Sequence, residues 1–196
     1  MKDSKLEYFL NAIHYCLWLN EKKFGNFAGR VVETLLAPIP KYLFTKVYKE
    51  KYYKRLPKEQ KKVVSFFNNR ENGYYIGRAN HWFGYLYSSY FVFFSFLLMP
   101  FIFKAGGDMH NITTLILLAL PVVLGYIPAY KAVFTNDRYL KYFKQFEKED
   151  ERWHRKWKRI TLVFEIGSIV SIFLGIGAAF FYCDCLISLM HFIQCS

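Results

Sequence analysis

The chain has 196 residues, 54% hydrophobic and 21% aromatic, and its 27 Lys and Arg against 15 Asp and Glu give a formal net charge of +12. Its 21 Phe and 16 Tyr exclude a disordered basic tail, which lacks the apolar surface to offset its chain entropy. A mean hydropathy of +0.07 averages a basic half with an oily half, and that sorting into separate blocks disfavours a soluble globule.

In residues 5–20, Tyr8, Phe9, Leu10, Ile13, Tyr15, Leu17, Trp18 and Leu19 predict a helix with a wide apolar face, too short to span a bilayer and ended by a turn at Gly25–Asn26. Cys16 and His14 fall on it, His14 as a packed side chain. Glu21, Lys22 and Lys23 follow without a small-residue cleavage site, so no secretory signal peptide is expected. The segment FAGRVVETLLAPIPKYLFTKVY mixes Arg30, Glu33, Lys41 and Lys46 with apolar residues and carries Pro38 and Pro40, which predicts a broken helix in the membrane interface. A small helical domain packed on 131–159 is the compatible alternative. Pro57 suits the first position of a further helix, and ENGYYIGRANHW is expected to link into the first span. Its Asn72–His81 stretch would suit a lipid headgroup, with a plain turn as the simpler reading.

From Trp82 to Phe103 the chain runs 22 residues without a charge, more than the ~20 that cross a bilayer as a helix. Ile112–Tyr130 is also uncharged, and its Pro121 and Pro128 are tolerable where neighbouring helices re-satisfy freed carbonyls. Asn111-Ile-Thr113 matches a glycosylation acceptor by chance, since it abuts this span. Ile160–Tyr182 forms the third span and holds one ionisable residue, Glu165.

Residues 1–81 hold 16 of the Lys and Arg, 104–111 one, 131–159 ten and 183–196 none. Because cytoplasmic loops retain Lys and Arg, this predicts a multi-pass protein of the cell inner (plasma) membrane, N-terminus cytoplasmic and C-terminus extracytoplasmic. The expected fold is all-α: a basic cytoplasmic or interfacial helical region over 1–81, a three-span membrane domain over 82–182 with a cytoplasmic helical extension at 131–159, and a short extracytoplasmic or re-entrant tail over 183–196.

At 100° per residue, 131–159 gathers Tyr139, Tyr142, Phe143, Phe146, Trp153 and Trp157 on one face and Lys141, Lys144, Lys148, Arg152, Arg155 and Arg159 on the other. Glu151–Arg155, and Glu147 with nearby Lys, add i,i+4 support. The aromatic side needs a buried partner. The cationic side is either a solvated positive-inside face or a surface for an anionic lipid, nucleic acid or protein partner, although no nucleic-acid module is present.

A carboxylate inside a span is costly unless neutral, paired or wet, so Glu165 either pairs with or snorkels toward the cytoplasmic Lys158–Arg159 edge, or lines an ion or proton pathway. Gly167, Ser171, Gly175 and Ala179 recur every four residues, a smooth strip for close helix approach within the chain or between copies. An outside location permits a disulfide of Cys195 with Cys183 or Cys185, whereas Cys183, Asp184, Cys185, His191 and Cys195 lack zinc-module spacing, so no metal is expected. His81, His110 and His154 stand near interfaces. There is no GxSxG, P-loop, HExxH or dinucleotide fingerprint, hence no catalytic residue, cofactor or enzyme activity is predicted.

The layout resembles the small multi-span accessory and effector proteins that accompany bacterial defence systems, including RNA-targeting CRISPR loci. Two functions follow. Copies join through the strip into a homo-oligomeric pore or membrane-perturbing assembly controlled by Glu165, or the protein is a non-conducting anchor or scaffold whose basic face recruits an anionic or protein partner. A lipid-modifying enzyme would need a constellation the sequence lacks.

Overall fold

A computed structural model describes residues 4–36, 38, 42, 45–108 and 110–194, without the side chains of Val47 and 182–194. Among the described residues the chain is 89% helical with no strands. The helices are α1 (Lys5–Leu36), α2 (Lys46–Asn68), α3 (Tyr74–Lys104), α4 (Ile112–Val133), α5 (Arg138–Phe146) and α6 (Glu151–Gln194), with a short 3-10 turn at Thr135–Asp137 before α5. The protein is an all-α polytopic membrane protein: α3, α4 and α6 are long and apolar enough to cross a bilayer, and only 6%, 11% and 17% of their apolar windows is buried inside the protein. Such exposure of Leu120, Leu124, Val163, Ile166 and Phe173 is untenable in water and ordinary in lipid.

The chain forms two compact units, one of Met1–Ile13 with Phe83–Ser196 and one of His14–Trp82. In the first, α3 is the central span. Toward α4, a Cβ on Gly125 would enter the Phe91 ring and one on Gly84 would touch the Tyr126 hydroxyl at 3.4 Å, so these glycines let aromatic side chains close the contact. Toward α6, the Tyr90 hydroxyl donates to the Phe164 carbonyl at 2.7 Å. A Cβ on Gly167 would lie 2.6 Å from that hydroxyl. Asn111 caps α4, its side chain accepting from Thr113 N at 2.9 Å, which gives this residue a structural role. At the other end of α4, Asn11 Nδ2 donates to the Ala132 carbonyl at 3.0 Å, satisfying an acceptor that the helix leaves open.

In the second unit, His14 is fully buried and donates Nε2–H to Asn80 Oδ1 at 2.8 Å. Arg78 pairs with Glu21 at 2.9 Å, and Lys22 and Arg70 sit over the Trp18 ring at 5.4 and 5.8 Å. Three expectations fail here. The turn at Gly25–Asn26 is absent, because α1 continues to Leu36. Gly25 serves close approach instead of a helix stop, since a Cβ there would occupy the Tyr75 ring. The link expected over 71–82, with its turn at Asn72–His81, is helical from Tyr74, because Asn69 makes the whole turn: its Oδ1 accepts from Glu71 N at 2.8 Å and Asn72 N at 3.3 Å, and its carbonyl from Gly73 N at 3.1 Å. Pro57 also lies inside α2 rather than starting a helix.

The 131–159 extension is not one helix either. Asn136 and Asp137 take left-handed backbone angles (φ 56° and 50°), which their short polar side chains tolerate, and α5 begins anew. A second break at 147–150 ends with Asp150 Oδ1 accepting from Trp153 N at 2.8 Å. At the far end, the backbone of α6 stays helical to Gln194, so the tail expected from residue 183 continues the helix of the third span.

Candidate functional site

The breaks around α5 fold the expected aromatic face into a cluster within the first unit. Tyr139, Tyr142, Phe143, Phe146 and Trp157 are buried. The Tyr8 ring meets Phe146, Trp157 and Tyr142 edge-on at centroid distances of 5.2, 5.7 and 6.3 Å. Trp153 stacks on Phe146 at 4.8 Å and donates Nε1–H to the Tyr8 hydroxyl at 2.9 Å. Arg138 pairs with Glu7 at 3.4 Å. Each ring pair adds about 0.5–1.5 kcal/mol beyond burial, so the cluster fixes the rotation of α5 and α6 about their axes.

With the aromatic sides locked inward, the cations must face out. Lys141 and Lys144 on α5, Lys148 in the turn, and Arg152, Arg155 and Arg159 on α6 are all exposed. They are not one helical stripe, because α5 and α6 are separate helices. Arg152, Arg155, Lys156 and Arg159 line one surface cleft with Ile160. Lys156 is absent from the stripe proposed on sequence, although it lies about 40° from Arg152 at helical spacing, at the edge of that arc, and was legible there. The expected Glu151–Arg155 pair forms at 3.8 Å, with both side chains largely exposed and hence of small energetic weight.

In the span below, the inward seam of α6 is made of small and polar residues: Thr161, Ser168 and Gly175 are buried, while Leu162, Val163, Ile169 and Val170 face outward. Glu165 is half-buried on this side and makes no ion pair among the described residues, so the pairing toward Lys158 and Arg159 is not formed. The strip that could have joined two copies is filled from within the chain at two positions. Gly167 receives the Tyr90 hydroxyl, and a Cβ on Gly175 would lie 2.9 Å from Phe96 and 3.2 Å from the Phe93 backbone. Ser171 and Ala179 are half-buried on the same helix.

Burial lowers the pKa of His14 from 6.5 to about 4, outweighing its hydrogen bond to Asn80, which acts in the opposite direction. This imidazole is neutral at pH 7 and holds helices together. Cys16 is buried in α1. The side chains of Cys183 and Cys185, and all of Cys195, lie outside the described residues, as do those of Asp184 and His191.

No family model matches the chain, and neither does any curated protein or solved structure.

Proposed function

We propose that the protein is a membrane-embedded anchor or scaffold that holds an anionic partner against the cationic face of α5 and α6. The observation that carries this reading is the coupling of that face to a locked aromatic core: Trp153, Trp157 and Phe146 fix the helices, and Lys141, Lys144, Lys148, Arg152 and Arg155 are presented as a constant surface. A face that cannot rotate away loses little freedom when it captures a charged partner. The positive-inside bias puts this face, with residues 1–81, on the cytoplasmic side of the plasma membrane, and the 104–111 loop outside.

The test uses the full chain in nanodiscs of neutral phosphatidylcholine, with a labelled single-stranded RNA oligomer as anionic probe. Binding that weakens with salt is expected. The Lys141→Gln/Lys144→Gln/Lys148→Gln variant lowers the slope of log affinity on log salt by about 2, at roughly 0.7 per lost phosphate contact. Binding with an unchanged slope, or none by the parent, overturns the reading.

A second reading, a conducting homo-oligomer, is favoured by the polar seam of Thr161, Glu165 and Ser168 in the third span. It requires a subunit contact other than the strip positions Gly167 and Gly175, which α3 occupies. It predicts an oligomeric mass in detergent and a conductance that Glu165→Gln alters.

A further inference from the structure

The cleft of Arg152, Arg155, Lys156 and Arg159 differs from the rest of the cationic face in its depth along the membrane normal. Ile160 opens the apolar run of the third span, and we place the edge of the hydrocarbon there. At about 1.5 Å per residue, Arg159 stands roughly 1.5 Å, Lys156 roughly 6 Å, Arg155 roughly 7.5 Å and Arg152 roughly 12 Å beyond that edge. The headgroup layer is about 5–8 Å thick on each side, the difference between a ~30 Å core and a ~40–45 Å bilayer. Three of the four cations therefore fall within the headgroup layer and the fourth about 4 Å outside it.

The shape agrees with the depth. The four cations share one concavity, whose apolar member is Ile160 at the end that meets the hydrocarbon. The acid paired there, Glu151, sits 3.8 Å from Arg155 and is largely exposed, so a phosphate displaces it at little cost. Three of the four are Arg, whose planar fork grips phosphate oxygens in pairs. On its other side α6 is pinned by the Trp153 bond to Tyr8, at 2.9 Å, and by the buried Trp157.

We infer that this cleft is a seat for the phosphate of an anionic phospholipid, with an acyl chain running down from Ile160. The inference rests on the reading of the α5–α6 face as an anion-binding surface, and assigns its membrane-proximal part to lipid. The seated lipid offsets one of the positive charges next to the bilayer, while Lys141, Lys144 and Lys148 remain directed at the soluble partner.

The test is native mass spectrometry of the full chain in detergent, titrated with phosphatidylglycerol, phosphatidylcholine or inorganic phosphate. The expected result is saturable binding of one phosphatidylglycerol in preference to phosphatidylcholine, without displacement by millimolar inorganic phosphate. Arg155→Gln/Lys156→Gln/Arg159→Gln weakens it about a hundredfold, at roughly fivefold per cation near the headgroups. Lys141→Gln/Lys144→Gln/Lys148→Gln, an equal change of charge away from the cleft, weakens it less than threefold. Arg152→Lys/Arg155→Lys/Arg159→Lys preserves charge and fold yet weakens it at least fivefold, because the paired contacts are lost. Equal losses from the two Gln variants would leave a diffuse anion-binding face and overturn the seat, and no loss from either would overturn it as well, whereas the reading of the face as a partner surface stands or falls on the RNA binding above. Unchanged affinity in the Lys variant, or full displacement by inorganic phosphate, would also overturn the phospholipid seat.

Discussion

Replacing Gly167 with Ala probes the contact between the first and third spans. In an exposed helix this change stabilises by about 1 kcal/mol, since Ala restricts the unfolded chain. Here the new Cβ would lie 2.6 Å from the Tyr90 hydroxyl, so that oxygen must retreat by roughly 0.6 Å to reach a tolerable contact. A retreat of that size stretches its 2.7 Å bond to the Phe164 carbonyl to as much as about 3.3 Å, beyond the range of a good O–H···O bond. Losing the bond costs about 0.5–1.5 kcal/mol and the crowding about 1–3 kcal/mol, against the gain of about 1 kcal/mol. The net expectation is destabilisation by about 0.5–3.5 kcal/mol. The diagnostic assay is a double-mutant cycle with Tyr90→Phe, read from unfolding free energies in mixed micelles. With the hydroxyl gone, Gly167→Ala should become neutral or stabilising, giving a coupling of at least about 1 kcal/mol. Additive effects would refute the contact and return the strip to an intermolecular role.

Gly175→Leu should cost more than Gly167→Ala, because its Cβ meets the Phe93 backbone at 3.2 Å as well as the Phe96 ring, and backbone cannot swing aside; the unfolding midpoint checks this. His14, with a pKa of 6.5 unfolded and about 4 folded, makes stability depend on pH. The unfolded chain takes up the proton first as pH falls, so stability is full above pH 6.5 and declines toward pH 4 by about 3 kcal/mol; His14→Gln should flatten that part of the profile. Trp153→Phe removes the bond to Tyr8 and should cost about 1 kcal/mol while leaving far-ultraviolet helicity unchanged. Asn111→Ala should cost about 1 kcal/mol through loss of the α4 cap, seen as a lower midpoint and not as a changed mass.

The spans were legible because lipid selects composition, which needs no knowledge of partners: 22 uncharged residues from Trp82 to Phe103 leave few alternatives. The aromatic cluster was legible as residues and not as geometry. Periodicity placed Tyr142, Phe146, Trp153 and Trp157 together, but it assumed one helix where Asn136 and Asp137 adopt φ of 56° and 50°. That break is set by side chains suited to the left-handed region, a local signal outweighed by the surrounding helical pattern. Gly25 shows the opposite error. A glycine after a charged run signals a helix end, and only the Tyr75 ring across the interface reveals that the missing Cβ is space for a neighbour. For the same reason, spacing alone could not say whether Gly167 and Gly175 face another helix of the chain or another copy.

We propose that the three apolar helices cross the bilayer with both basic segments on one side. Single cysteines at Lys148, Glu71 and Asp108, in sealed inverted membrane vesicles on a background with the native cysteines changed to Ser, report it through a membrane-impermeant thiol reagent. Positions 148 and 71 are expected to react in these vesicles, while position 108 reacts only after permeabilisation. Labelling of 108 together with 148 in sealed vesicles would contradict it.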